Sequence, residues 1–485
     1  MFKSSIPSAW NCVTLATTEA QLISAFSIIL INLNRCGVRL GLTKSIVLSA
    51  GKAKKASLSQ QVWTKKVARL FGAVLKRTNA IEALFNQRQA DDLKYDGVSG
   101  ALHEFGNLYG DQYSEIRVIH NGGLIPECRF VSVVCGGQHA AALTNDGRVY
   151  TWGSGTYGQL GNGTREAHRF PEPINIPVCK KIACGYAYSC VITVDGQIYS
   201  WGAGENGRLG LGNPDDEHAP VLVATDWKAI NIFAGSVHTC SIAESGQMYT
   251  WGHKNYNGHG ANEDVMEPKL LDRFDGKLMH SASIGPGGYH TIALSISGDV
   301  YTWGHNRVGQ LGFENDESTN VTTEGAFFYE HPEFVRTLSR VRQVAAGWGH
   351  SMVLCWDGSV LACGRNFRGQ IGQDPSTCTL NERGHPYSAR FTQVQSLQGM
   401  KIERIACGGE HSAAIAEDNT LYIWGDDSEG QLAHQHPLND VYSSDDSRLY
   451  FNPHACEISG EPTVQNVINI ALGSSVSFVI TAEDE

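Results

Sequence analysis

Along most of the chain the apolar residues fall in short runs closed by glycine, not at the three-and-four spacing of a helix face. Ala140–Thr144 and Arg148–Trp152 form one such pair, separated by Asn145-Asp146-Gly147. An Asp-Gly step between apolar runs predicts a β-hairpin, because a tight primed turn needs the positive φ that glycine supplies cheaply. Only the N-terminal stretch reads differently. Trp63, Val67, Leu70, Phe71, Val74 and Leu75 stand near helical spacing among Lys65, Lys66, Arg69, Lys76 and Arg77, which predicts a basic amphipathic helix.

The hairpin pattern repeats. A glycine anchor, usually followed three residues on by histidine, recurs at Gly136, Gly185, Gly235, Gly287, Gly347, Gly408 and Gly473, at intervals of 49, 50, 52, 60, 61 and 65 residues. Inside each unit the register is stricter. Eleven residues after the first six anchors comes a turn residue (Gly147, Gly196, Gly246, Gly298, Gly358, Asn419), and 17 residues after them a second glycine (Gly153, Gly202, Gly252, Gly304, Gly364, Gly425). Trp152, Trp201, Trp251, Trp303 and Trp424 precede that glycine, with Cys363 in the remaining copy. A third motif, Gly158-Gln-Leu-Gly161, returns at Gly207, Gly309, Gly369 and Gly430 and is displaced at Gly258-His-Gly260. Each unit is too small to bury both faces of its strands, so stacked neighbours must complete the core, and radial repetition protects the strand edges. Periodic tryptophan and histidine then read as packing and tying groups between units. Histidines that each belong to a different unit do not make a metal site.

This combination of Gly-x-x-His, Asp-Gly, Trp-Gly and Gly-Gln-Leu-Gly resembles the regulator-of-chromosome-condensation repeat over residues 98–485. The resemblance implies an all-β, seven-bladed β-propeller, preceded by a partly helical or disordered basic extension over residues 1–95. Gly473 leaves no room for its own Trp-Gly strand before Glu485, whereas Phe105-Gly106 is a degenerate Trp-Gly pair 30 residues ahead of Gly136. Residues near 100–110 are therefore expected to pair with residues 464–482 and close the last blade, as chain termini do in that family.

Charge divides the chain. Residues 1–89 carry 13 Lys/Arg against Glu19 and Glu82, so with a total of −11 the remainder carries −22. An acidic body argues against a propeller that coats nucleic acid, and leaves any such contact to the leader. Residues 1–60, rich in serine with seven basic residues and one acid, match a mitochondrial transit composition; the apolar run Ala20–Leu33 is too short for a membrane crossing. The helix after it is compatible with packing on the propeller, with binding a partner or acidic surface, and with lying on a membrane. Cys135, Cys184, Cys363 and Cys407 sit at recurring strand positions, not in C-x-x-C pairs, and read as small packed residues of a reducing compartment. Cytoplasm or nucleus is expected, or the mitochondrion if the leader is a transit peptide.

The chain has no Walker-type phosphate loop, no His-Glu-x-x-His and no nucleophile elbow, so no catalytic residue, cofactor or metal is expected. Function should sit in the long loops. Insertions at about 313–333, 372–391 and 433–463 all fall between the Gly-Gln-Leu-Gly motif and the next anchor, which puts them on one side of blades four to seven. Candidate partner-binding residues are Glu314, Asp316, Glu317, Phe328, Tyr329, Asp445, Asp446 and Arg448, with Asp215, Asp216 and Glu217 extending an acidic rim. The first expectation is a monomeric, non-catalytic scaffold that binds a protein partner through this loop face. The alternative, implied by the resemblance, is guanine-nucleotide exchange on a small Ran-like GTPase, with chromatin association through the leader. In the family the exchange wedge is an early-blade insertion, and here blades one to three are compact. A light-sensing role would require Gly-Trp-Arg-His-Thr motifs; only Gly347-Trp348-Gly349-His350 comes near, and it lacks the arginine.

Overall fold

The computed structural model describes residues 100–108, 117–118, 130–260, 262–274, 276–315, 320–321, 327–433, 451–457 and 466–482. The basic leader, its expected helix and the third insertion up to residue 450 lie outside them.

Seven antiparallel blades follow one another around an axis. In blade 1, from the axis outward, the strands are Phe130–Cys135, His139–Thr144, Val149–Gly153 and His168–Pro173. The anchor glycine joins the first to the second strand, the Asp-Gly turn the second to the third, and the Gly-Gln-Leu-Gly loop the third to the fourth. Anchors and Gly-Gln-Leu-Gly loops therefore share one end of every blade, the glycine-loop face, and the Asp-Gly turns share the other, the hairpin-turn face. The expected primed turn is not what forms: Gly147 takes φ 82° and Asn419, the one non-glycine at that position, φ 66°, but the residues before them keep negative φ and the Gly147 N–H donates to the Thr144 carbonyl, so each connection is a type I turn followed by one left-handed residue.

The core lies between blades. Each of the seven junctions has its own cluster of buried side chains drawn from both flanking blades. Trp152, Trp201, Trp251, Trp303 and Trp424 are buried in these clusters, and Phe105 takes the equivalent place between blades 6 and 7. The Trp201, Trp251, Trp303 and Trp424 indoles each lie against a glycine of the preceding blade: a Cβ on Gly161 would stand 2.6 Å from the Trp201 ring, and on Gly210 2.8 Å from Trp251. Blade 5 has Cys363 where the others have an aromatic ring. There Phe391, from the fourth strand, covers Gly312 instead, 2.2 Å from where a Cβ would stand.

The periodic histidines tie the blades together. His139 Nε2 lies 2.9 Å from Ser189 Oγ of blade 2, and Ser189 Oγ–H donates to the Gln159 carbonyl of blade 1 at 3.0 Å. Since the hydroxyl proton is committed to that carbonyl, Ser189 accepts from His139, which fixes the Nε2–H tautomer. The same relay runs from His290 to Ser351, His350 to Ser412 and His411 to Ser477, each serine donating to the carbonyl of Gln310, Gln370 or Gln431. His238 reaches Thr291 at 2.7 Å. Tyr188 replaces histidine in blade 2 and reaches Thr239 at 2.8 Å. Only at the closing junction is the pair apolar: Val476 holds the histidine place of blade 7 and Ala140 the serine place of blade 1. Burial pulls His139 down to about 4 and His238, His290, His350 and His411 to about 3, so all five are neutral.

Gly100–Gly106 forms the third strand of blade 7, antiparallel to Val476–Ala482 from Gly100 opposite Ala482 to Gly106 opposite Val476. Val467–Leu472 is the innermost strand of that blade and Arg117–Val118 the outermost. The insertions add strands that the repeat does not contain. Asn320–Val321 and Thr379–Leu380 pair outside the fourth strands of blades 4 and 5, making each five-stranded.

Candidate functional site

Around the axis on the glycine-loop face, the two variable anchor residues and those following each Trp-Gly project from a rigid collar. Tight turns leave them no length to wander. From blade 2 to blade 5 the collar is aromatic and basic: Tyr186 and Tyr289 are 46% and 42% exposed, and Trp348 37%. The aromatics lean across blade boundaries. Tyr186 covers Gly137 of blade 1, Tyr256 of blade 3 stands 5.3 Å from Tyr289 of blade 4, and the Trp348 indole N–H donates to the Pro286 carbonyl.

At blade 6 the sign reverses. Arg365 pairs with Glu410, and Arg368 stands 3.5 Å from Glu410 and 3.4 Å from Asp426, while both guanidiniums lie over the Phe367 ring at 5.9 and 5.3 Å. Asp426 also accepts from Gln431 Nε2 and Ser428 Oγ at 2.7 Å. Burial raises the Glu410 and Asp426 carboxyls above their ordinary values in spite of the arginines. It pushes Asp427, whose Oδ1 accepts from the Leu432 N–H, up to about 7. Charge is thus concentrated, recessed and geometrically fixed at the seam between blades 5 and 6. A partly desolvated pair network of this kind is suited to reading a complementary charged surface rather than to bond-making chemistry.

Outside the collar, the first two insertions share a groove of about 660 Å³ between blades 4 and 5, lined by Arg307, Phe313, Glu314, Tyr387, Ser388 and Arg390. Glu314 is exposed and pairs with Arg390 across it at 3.2 Å. Phe328 and Tyr329, expected on the loop surface, are buried: they belong to the fourth strand of blade 4, where Tyr329 packs edge-on against Phe313 at 5.0 Å. Asp215 is exposed, whereas Asp216 accepts the Gly204 N–H at 3.0 Å and Glu217 opens the outermost strand of blade 2, so that acidic triplet serves its own loop and sits away from the blade 5–6 seam. Asp316, Glu317, Asp445, Asp446 and Arg448 lie outside the described residues. Reading loop composition missed Arg365, Arg368, Glu410, Asp426 and Asp427. The signal that finds them is positional, a switch from Arg to Asp at the residue after the recurring Trp-Gly glycine, coupled to an acid before the anchor histidine.

A closed ring of seven blades with glycine-rich turns and interlocked tryptophans defines a seven-bladed repeat propeller. A family model described as RCC1-like domain matches residues 97–479, and the chain belongs to that family. The ultraviolet-B receptor UVR8 of Arabidopsis thaliana is 33% identical over 316 residues, 63% of this chain and 67% of that protein. The human E3 ubiquitin-protein ligase HERC2 is 30% identical over 363 residues; these span 72% of this chain and 7% of HERC2, so its ligase activity is not carried over. Among solved structures, Prp20p of Saccharomyces cerevisiae, described with its binding to Gsp1p and histones, superposes with a TM-score of 0.68 at 20% identity, over 81% of this chain and 95% of that one. At that identity the match shows a shared fold. Among the described residues no helix is long and apolar enough to cross a membrane, and no group of three or more His, Cys, Asp and Glu is placed to hold a metal.

Proposed function

We propose that the chain is a non-catalytic regulatory propeller that binds a protein partner on the glycine-loop face, over blades 4 to 6. The observation that carries this reading is the coincidence, on one face, of the fixed Arg365–Arg368–Glu410–Asp426 network with the groove built by two insertions. Rigid charged and aromatic side chains lose little entropy on binding, and insertions in otherwise compact repeats are where recognition surfaces accumulate. Glu314, Arg390 and Trp348 supply its exposed part.

The test is affinity capture by full-length protein beside two variants, Arg390→Glu and Trp348→Ala. A specific partner retained by the parent and lost by both variants supports the face. A partner retained equally by all three places binding elsewhere and rejects this reading. A second reading, exchange on a small GTPase, is favoured by the shared fold with Prp20p. It requires that the captured partner be a GTPase whose bound nucleotide is released faster in the presence of the propeller.

A further inference from the structure

The axial channel has its own chemistry, at the opposite end from the partner face. In every blade the innermost strand carries an irregularity at its second residue: pairing skips from Phe130 to Ser132, Cys179 to Lys181, Ala229 to Asn231, Met279 to Ser281, Val341 to Gln343, Ile402 to Arg404 and Val467 to Asn469. A bulge re-aims the side chain beside it. Seven bulges in one register bring Ser132, Lys181, Asn231, Ser281, Gln343, Arg404 and Asn469 to a single cavity of about 410 Å³ near the hairpin-turn face. That tier holds one residue from each blade. All seven are polar, two are cationic and none is acidic.

Two residues further along the strands, on the same side, the tier is Val134, Ala183, Phe233, Ser283, Ala345, Ala406 and Ala471. The channel therefore passes from a polar tier, the cup, to a mostly apolar one. At the bulge position itself Lys180, Arg342 and Glu403 also line the cavity, so four cations face one carboxylate, in a body whose net charge is −22. Gln343 is spent on the Ile405 backbone and Asn231 on the His280 carbonyl, which fixes the cup wall. Lys181, by contrast, is exposed and makes no ion pair among the described residues.

We infer that this cup is a binding site for a small multivalent oxyanion, namely a free phosphate-bearing molecule seated between Lys181 and Arg404 with the Ser132, Ser281 and Asn469 side chains around it. The volume suits a ligand of that size, and a concave site in a low-dielectric wall concentrates the positive field. The bulge recurs with the repeat itself; what favours an anion is the absence of acids from the tier that it turns toward the axis and the excess of cations around the cavity.

Inorganic pyrophosphate is the probe, titrated calorimetrically into the full chain at low ionic strength. Saturable binding that weakens with added salt is expected. Lys181→Ala should lower the affinity at least tenfold and Lys181→Glu should abolish it. Lys401→Ala, which removes an exposed cation paired with Glu417, should leave it unchanged. Thermal unfolding of each variant, compared with the parent, establishes that the ring is intact; Lys181→Gln serves if the glutamate variant is not. No heat at millimolar pyrophosphate, or equal affinity in the Lys181 and Lys401 variants, overturns the inference. Because the cup opens on the face opposite the collar, either result leaves the partner-binding reading to its own test.

Discussion

A single buried histidine shows how much of the ring depends on one proton's position. His350 donates to Ser412, which donates to the Gln370 carbonyl, so its loss leaves a cavity and an unmade buried hydrogen bond across the blade 5–6 junction. His350→Ala should cost about 3 kcal/mol, read as a lower urea midpoint at unchanged slope. Acid acts on all such groups at once. The folded values of His139, His238, His290, His350 and His411 lie at about 3 to 4, below the unfolded value of about 6.5, so the unfolded chain binds more protons between these limits. Their contribution is complete above pH 6.5 and is lost as pH falls toward 3, with a slope of up to about 7 kcal/mol per pH unit if all five act together. Urea titrations at stepped pH check this, and a pH-independent midpoint between 6.5 and 4.5 would contradict it. Asp427 acts with the opposite sign. Its folded value, about 7, lies above the unfolded one, so stability is lost as pH rises toward 7. Asp427→Asn, which keeps an oxygen for the Leu432 N–H, should stabilise the protein at pH 8 by about 1–2 kcal/mol and hardly at all at pH 4.

At the scale of the element, strands and turns were legible because each has a chemical marker repeated in fixed register. Asp146-Gly147 gives the turn, and Trp152-Gly153 the strand end; Phe105 could be assigned to the tryptophan place from spacing. What composition could not show is which loop side chains the blades reclaim. Phe328 and Tyr329 look like recognition residues in a loop, yet they open the fourth strand of blade 4, opposite His305 and Gly304, a matter of pairing that no local pattern encodes. The blade 5 insertion makes the clearest test of a functional element. Replacing residues 374–385 by the blade 2 connection, residues 212–216, removes the edge strand Thr379–Leu380 and one wall of the groove without touching the inner three strands. Thermal stability should fall by only a few degrees, because edge pairing carries little of the core, while partner capture is lost. Capture that survives the exchange would place recognition elsewhere on the ring.

For the whole molecule, the decisive feature is that a ring has no stable partial form: each blade buries one side against its predecessor and the other against its successor. Closure joins Gly100 to Ala482, a contact that spans nearly the whole described chain and therefore forms against a large loop entropy. The strand that makes it carries Leu102 and Phe105, both buried, and seals the junctions on either side of blade 7. Its neighbour junction is also the one without a histidine relay, so packing and this strand's backbone ladder must hold the ends together. A chain beginning at residue 107 should accordingly lose its cooperative thermal transition. A synthetic peptide of residues 98–108 should restore it in trans, with a midpoint that rises with peptide concentration as expected for a ligand of the folded state. A peptide carrying Phe105→Asp should fail to do so. If the shortened chain instead unfolds cooperatively at the parent's temperature with no peptide present, closure is not what makes the ring one folding unit, and the seven junction clusters would have to be sufficient by themselves.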